Sequence, residues 1–262
     1  ETQPHIYMER AKLMTEAYKL YDGSMSVPEM RATALKYYFE RKSIEIAEGE
    51  LIVGEKGDTA QASPTFPELC CHTLQDMQVM NDRDLINFTV TEEDMKLQEE
   101  VIIPYWEHRS TRHKIINAMT PEWKLAYESG IFTEFMEQRG PGHTVGSRKI
   151  FEKGFLDYKK DIEDAIAKLD FLNDMNAYSK LNQLKAMAID CDAIIILANR
   201  YADLAEKMAA EETRPERKAE LLQIAENCRW VPANKPKTFW QAIQQYWFVH
   251  IGVTSELNPW DA

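Results

Sequence analysis

The sequence predicts a mainly α-helical fold with few short strands. Three observations carry this. Apolar residues recur at helical spacing through most of the chain. Hydroxyl caps, first-turn prolines and trailing glycines punctuate those runs. One short β-branched run, Glu50–Gly54, reads as a strand.

The elements follow in order. Residues 5–21 place Ile6, Ala11, Met14, Ala17, Tyr18 and Tyr21 at helical spacing, and Asp22-Gly23 stops them. Val27-Pro28-Glu29 starts a second helix that runs to about Lys42. After the strand at Glu50–Gly54, the Gly/Pro-rich stretch 55–67 reads as an ordered loop, and 68–80 as a short helix. Thr91-Glu-Glu-Asp94 has the form of a capping box, so a helix should follow to about Ile103. Thr120-Pro121-Glu122 opens another that Gly130 interrupts, residues 131–139 read as helical, and Gly140-Pro141-Gly142 breaks the chain. Residues 151–168 are amphipathic. The longest helix is expected over 177–212, with a further one over 215–228. Pro232 and Pro236 form an extended link, and Thr238 caps an aromatic helix carrying Phe239, Trp240, Tyr246, Trp247 and His250. No repeat or interior boundary divides the 262 residues. The aromatic helix followed by Ser-Glu-Leu-Asn-Pro-Trp-Asp-Ala is an unusual terminus, so the chain reads as truncated.

Composition narrows the function classes. The formal net charge is −12, which repels nucleic acid and anionic membrane surfaces. No apolar run of about 18 residues suggests a membrane-spanning helix. Four cysteines in a chain of this length form no disulfide scaffold and point to a reducing, cytoplasmic setting.

Several residues could carry chemistry. Cys70 and Cys71 are adjacent and cannot form a zinc knuckle. They read as buried reduced thiols, with a vicinal disulfide or a radical or nucleophilic centre as alternatives. Cys191 and Cys228 read as core. His143 sits in Gly140-Pro-Gly-His-Thr144, where an imidazole can hydrogen-bond a substrate or move a proton, or can be a solvated turn residue. Asp261 follows Trp260. Its carboxylate can pair with a cationic group or gain proton affinity beside the indole, or act as a cap. Glu256 carries the same ambiguity. His72 and His250 read as structural, the latter as a satisfied core residue. No metal-ligand spacing such as HExxH and no phosphate loop occurs.

Three stretches together carry a resemblance: Gly49-Glu-Leu-Ile-Val-Gly-Glu-Lys-Gly-Asp58 with Pro64-Thr-Phe-Pro-Glu-Leu-Cys-Cys-His-Thr73, then Phe132-Thr-Glu-Phe-Met-Glu-Gln-Arg-Gly-Pro-Gly-His-Thr144, then residues 246–262, ending Asn-Pro-Trp-Asp-Ala. They resemble the N-terminal region of the pyruvate formate-lyase-like glycyl radical enzymes, over essentially the whole chain. The Glu50-Leu-Ile-Val-Gly-Glu55 element is shared across that family. The Gly-Pro-Gly-His-Thr loop and the aspartate after Trp260 look like the branch that dehydrates trans-4-hydroxy-L-proline.

The resemblance implies that residues 1–262 are the helical N-terminal part of a ten-stranded β/α barrel. It implies a lyase in which a glycyl radical, installed by a separate S-adenosylmethionine-dependent iron–sulfur activase, oxidises a cysteine to a thiyl. The thiyl takes hydrogen from substrate C5, the C4 hydroxyl leaves as water, and 1-pyrroline-5-carboxylate forms. Both radical residues belong to later loops, so this segment is expected to be inactive alone and to bind no cofactor directly. Cys70 and Cys71 are structural on this reading. His143 and Asp261 match substrate-site residues of the family, and Phe135 matches an aromatic packed on the substrate ring. An anaerobic, homodimeric enzyme is implied. Two alternatives stay open: another glycyl radical eliminase (a diol dehydratase or a C–N lyase), and a non-enzymatic helical module that binds a protein partner.

Overall fold

The computed structural model describes residues 3–131 and 146–256, and these are mostly helical. The chain opens with β1 (His5–Tyr7), which pairs in parallel with β2 (Ala62–Pro64), His5 opposite Ala62 and Tyr7 opposite Pro64. The helix expected from residue 5 therefore begins later, as α1 (Glu9–Lys19). Ile6 suits either period. As a strand residue it is buried, and its N–H donates to the Thr89 carbonyl at 2.9 Å. The loop expected over 55–67 accordingly contains a strand. Helix α2 (Val27–Arg41) starts as expected, with a Ser26–Glu29 capping box and Pro28 in its first turn.

The strand expected at Glu50–Gly54 is absent. The segment has no neighbouring strand, and side chains take over the ladder's task. Gln244 accepts from the Val53 N–H at 2.9 Å and donates to the Val53 carbonyl at 2.8 Å. Trp240 Nε1 donates to the Leu51 carbonyl at 2.9 Å and Trp247 Nε1 to the Gly54 carbonyl at 2.6 Å. Arg217 donates to the carbonyls of Ala47 and Glu50, both at 3.0 Å. These backbone groups are satisfied by side chains of helices distant in sequence, which a strand pattern does not reveal. Gly54 has φ +131°, and a Cβ there would lie 3.2 Å from the Trp247 ring, so the indole contact requires glycine.

Helix α3 (Leu74–Asp82) starts six residues later than expected because Thr73 caps it through Asp76. Helix α4 (Glu92–Leu97) has the expected Thr91–Asp94 capping box. A π-helical turn at Gln98–Ile102 and α5 (Ile103–Trp106) carry the helical path past Ile103. Helices α6 (Thr111–Ala118) and α7 (Pro121–Glu128) follow, capped by Ser110 and Thr120. Of the helix expected over 131–139, residues 132–139 lie outside the described residues.

The amphipathic run 151–168 divides into α8 (Lys149–Glu152) and α9 (Phe155–Ala167) at Gly154. The N-terminus of α9 meets a segment distant in sequence: Phe155 and Leu156 N–H donate to the carbonyls of Pro232 and Ala233 at 2.8 and 3.0 Å. A Cβ on Gly154 would lie 2.3 Å from the Ala233 oxygen. Gly154→Ala is therefore expected to destabilise the full-length protein by about 1–3 kcal/mol through overpacking, read as a lowered melting temperature.

Helices α10 (Ala177–Glu211), α11 (Pro215–Trp230) and α12 (Phe239–Glu256) match their expected spans closely. The 35-residue α10 is the spine. Ala193, Leu197, Tyr201 and Ala205 pack against Leu35, Tyr38 and Phe39 of α2, Leu221 and Ile224 of α11, and Phe248 and Ile251 of α12. A second cluster gathers Ile6, Met8, Ala11, Met77, Ile102 and Trp106 around the small sheet. Cys191 and Cys228 are buried, as expected.

Candidate functional site

Helix α12 organises the site. Its apolar positions Phe248 and Ile251 face the core, and Gly252 lets it approach α10, where a Cβ would lie 2.3 Å from Ile194 Cδ1. One row of polar side chains grips both neighbours. Gln244 holds Val53, and Gln245 donates to the carbonyls of Ile150 and, at 3.1 Å, Lys153. The segment Ile150–Lys153 is thereby tied to the same helix that precedes Asp261 in the sequence.

The C-terminal end of α12 meets a charged cluster. Arg10, fully buried, donates from Nε to the Ser255 carbonyl at 2.7 Å and from one terminal nitrogen to the Glu256 carbonyl at 2.9 Å. The same guanidinium forms an ion pair with buried Glu68, donates to the Thr65 carbonyl at 3.2 Å, and lies 3.8 Å from the centre of the Phe66 ring. Carbonyls in a last helical turn lack in-helix partners and carry the negative end of the dipole, so a buried cation fits there. Arg31 of α2 donates to the Glu256 carboxylate at 2.6 Å. The ambiguity over Glu256 resolves toward this ion pair.

Asp190 of α10 adjoins the cluster. Burial raises its pKa to about 7, the Glu256 charge adds to the rise, and Arg31 opposes it. Its Oδ1 is buried with no hydrogen-bond partner among the described residues. An acid whose pKa rises on folding binds a proton in the native state that the unfolded chain has released. Its contribution is thus most favourable below about pH 4 and is lost as pH rises toward 7. Asp190→Asn should remove this dependence: its melting temperature, relative to the parent full-length protein, is expected to rise between pH 5 and pH 8.

His250 departs from the satisfied core residue expected of it. Its ring stacks on Trp247 at 4.9 Å, it is half-buried, and Nδ1 is buried without a partner among the described residues. Desolvation, with Lys56 nearby, lowers its pKa and favours neutral imidazole. Cys70 and Cys71 are half-buried rather than buried. Burial pushes the Cys71 thiol up to about 12, which disfavours the thiolate a nucleophile needs. Among the described residues, no group of three or more His, Cys, Asp or Glu side chains could hold a metal ion. Likewise, no described helix is long and apolar enough to cross a membrane.

Phe135, His143 and Asp261 all lie outside the described residues. Arg10, Arg31 and Asp190 were not singled out by sequence, although two carry a signal. Arg10 stands four residues before Met14, on the apolar side of α1, and Asp190 stands midway between buried Ala186 and Ile194 on α10.

Comparison with known proteins places these observations. Residues 1–262 match the model of the family described as pyruvate formate lyase-like. The chain is 61% identical over 260 residues to trans-4-hydroxy-L-proline dehydratase of Clostridioides difficile, covering 99% of this chain and 33% of that protein. It is 35% identical to isethionate sulfite-lyase of Oleidesulfovibrio alaskensis, covering 95% of this chain and 31% of the relative. The crystal structure of the C. difficile hydroxyproline dehydratase with substrate bound superposes with a TM-score of 0.93 at 60% identity, covering 98% of this chain and 32% of that one. The chain thus spans about a third of the length of these relatives. Sequence match, shared helical architecture and superposition agree throughout, and the chain belongs to the pyruvate formate lyase-like family.

Proposed function

We propose that this chain is the N-terminal part of a glycyl radical dehydratase that removes water from trans-4-hydroxy-L-proline to give 1-pyrroline-5-carboxylate. The observation that carries the reading is the 61% identity, across 99% of the chain, to a protein of that activity. On this reading hydrogen is taken from C5, the C4 hydroxyl departs with a proton as water, and a hydrogen atom is returned. His143 and Asp261 bind the ammonium or relay a proton to the departing hydroxyl. Phe135 packs on the ring and excludes water from the radical. The radical glycine and cysteine lie beyond residue 262, a separate activase installs the radical, and the working enzyme is a cytoplasmic homodimer.

Support for a shared pocket comes from the flanks. Ile150 and Lys153, seven and ten residues after His143, dock on α12 through Gln245, and Asp261 follows the end of the same helix in sequence by five. The test is turnover by the full-length protein, activated without oxygen and with its radical quantified by electron paramagnetic resonance. The expected product is 1-pyrroline-5-carboxylate. No product from a radical-bearing enzyme would reject the reading. Because a 35%-identical relative is a sulfite-lyase, isethionate belongs in the substrate panel beside glycerol and 1,2-propanediol. Turnover of one of these instead would favour another eliminase.

A further inference from the structure

We propose that the outer face of α12, formed by Phe239, Ile243, Tyr246 and His250, is the docking surface for the part of this same chain that follows residue 262. This rests on the reading of residues 1–262 as the N-terminal part of a longer enzyme, and on nothing about its substrate.

Helix α12 is built for burial on two sides. Gln244, Phe248 and Ile251 are buried on its inner side. Phe239, Ile243, Tyr246 and His250 follow one another at steps of four, three and four residues, so they share the opposite side. Phe239 is 81% exposed, Ile243 and Tyr246 are also exposed, and His250 is half-buried. The Tyr246 and His250 rings stack at 6.2 Å, which makes that end of the row continuous. A helix face that meets water carries charged side chains. From Phe239 to Ser255 there is no Asp, Glu, Lys or Arg. The row also holds one polar atom in need of a partner. His250 Nδ1 is buried and has none among the described residues, and buried polar atoms are as a rule hydrogen-bonded. The matching surface is therefore an apolar element with a hydrogen-bonding group opposite His250.

The tether selects the occupant. The chain covers 33% of its dehydratase relative, which leaves about two thirds of such a length to follow it. The last residue of α12, Glu256, stands six positions before residue 262 in sequence. A segment joined to its docking surface by so short a link reaches effective concentrations on the order of millimolar. A second copy or a separate protein must instead find the same face from dilute solution. The later part of the same chain therefore holds the advantage for this face.

The experiment places the photo-cross-linker p-benzoylphenylalanine at position 239, and separately at position 246, of the full-length protein. It needs neither radical nor substrate. Irradiated protein is separated on a denaturing gel, and the linked peptides are identified by mass spectrometry. The expected result is a link within one chain, from either position to a peptide beyond residue 262, with a yield unchanged on dilution by about 100-fold. Products of doubled mass that fade on dilution would put a second copy on this face. Links confined to residues 1–262, or none from either position, would show that the later chain does not cover it. Each of these outcomes overturns the proposal. Phe239→Asp gives a second readout. On a free surface, changing so exposed a residue scarcely alters stability. Under a docked segment it buries a charge, and the full-length protein should melt several degrees lower with its oligomeric state unchanged. A parental melting temperature would also overturn the proposal. Failure of the same protein to turn over trans-4-hydroxy-L-proline would instead reject the substrate reading and leave the cross-links standing.

Discussion

In the activated full-length enzyme, His143→Gln and Asp261→Asn are each expected to lower kcat/KM for trans-4-hydroxy-L-proline by about 10²- to 10⁴-fold. The leaving group is a hydroxide unless it is protonated, and a carbon radical next to it does not supply that proton. A positioned acid must therefore act as the C–O bond breaks. The ring ammonium also needs an anionic or accepting partner to fix C5 against the radical. An imidazole and a carboxylate meet both needs, and each substitution preserves shape while removing charge or proton transfer. Radical content, measured for each variant, separates loss of chemistry from loss of activation. Full rates in both variants at equal radical content would remove these residues from the site.

Arg10→Ala is expected to have the largest effect on stability. It would leave Glu68 buried without its cation and the carbonyls of Ser255 and Glu256 without their donor. Breaking a buried pair by removing one partner typically costs about 3–5 kcal/mol, enough to consume much of a domain's stability. The guanidinium also lies against Phe66, so packing is lost along with charge. By contrast, Arg214→Ala removes an exposed network with Glu48 and Glu212 and should leave the melting temperature near the parent's. Thermal melting of both variants checks the difference. An Arg10→Ala protein as stable as Arg214→Ala would show that the buried cluster contributes little.

The helices were legible where local chemistry decides them. The Thr91–Asp94 box and the first-turn proline of Val27-Pro28-Glu29 mark true starts, and the long apolar stripe of α10 ends within one residue of its expected limit. Failures came where distant partners decide. Leu51–Val53 has strand-like residues, yet its hydrogen bonds run to Gln244 and Trp240, some 190 positions along the chain. Residues 5–7 continue the periodicity of α1, yet β2 and Thr89 capture their backbone. The same distinction holds at the site. The loop histidine and the terminal aspartate were legible through motif resemblance, whereas Arg10 and Asp190 appear only as polar interruptions of apolar stripes. Nothing local says that Arg10 closes on a helix end 245 positions away.

The central claim is spatial: His143 and Asp261 share one cavity. A crystal structure of the full-length protein with trans-4-hydroxy-L-proline bound tests it most directly. Both side chains are expected within hydrogen-bond distance of the ligand, with the Phe135 ring against its carbon face. A ligand bound elsewhere, or the two side chains directed into separate regions, would contradict it.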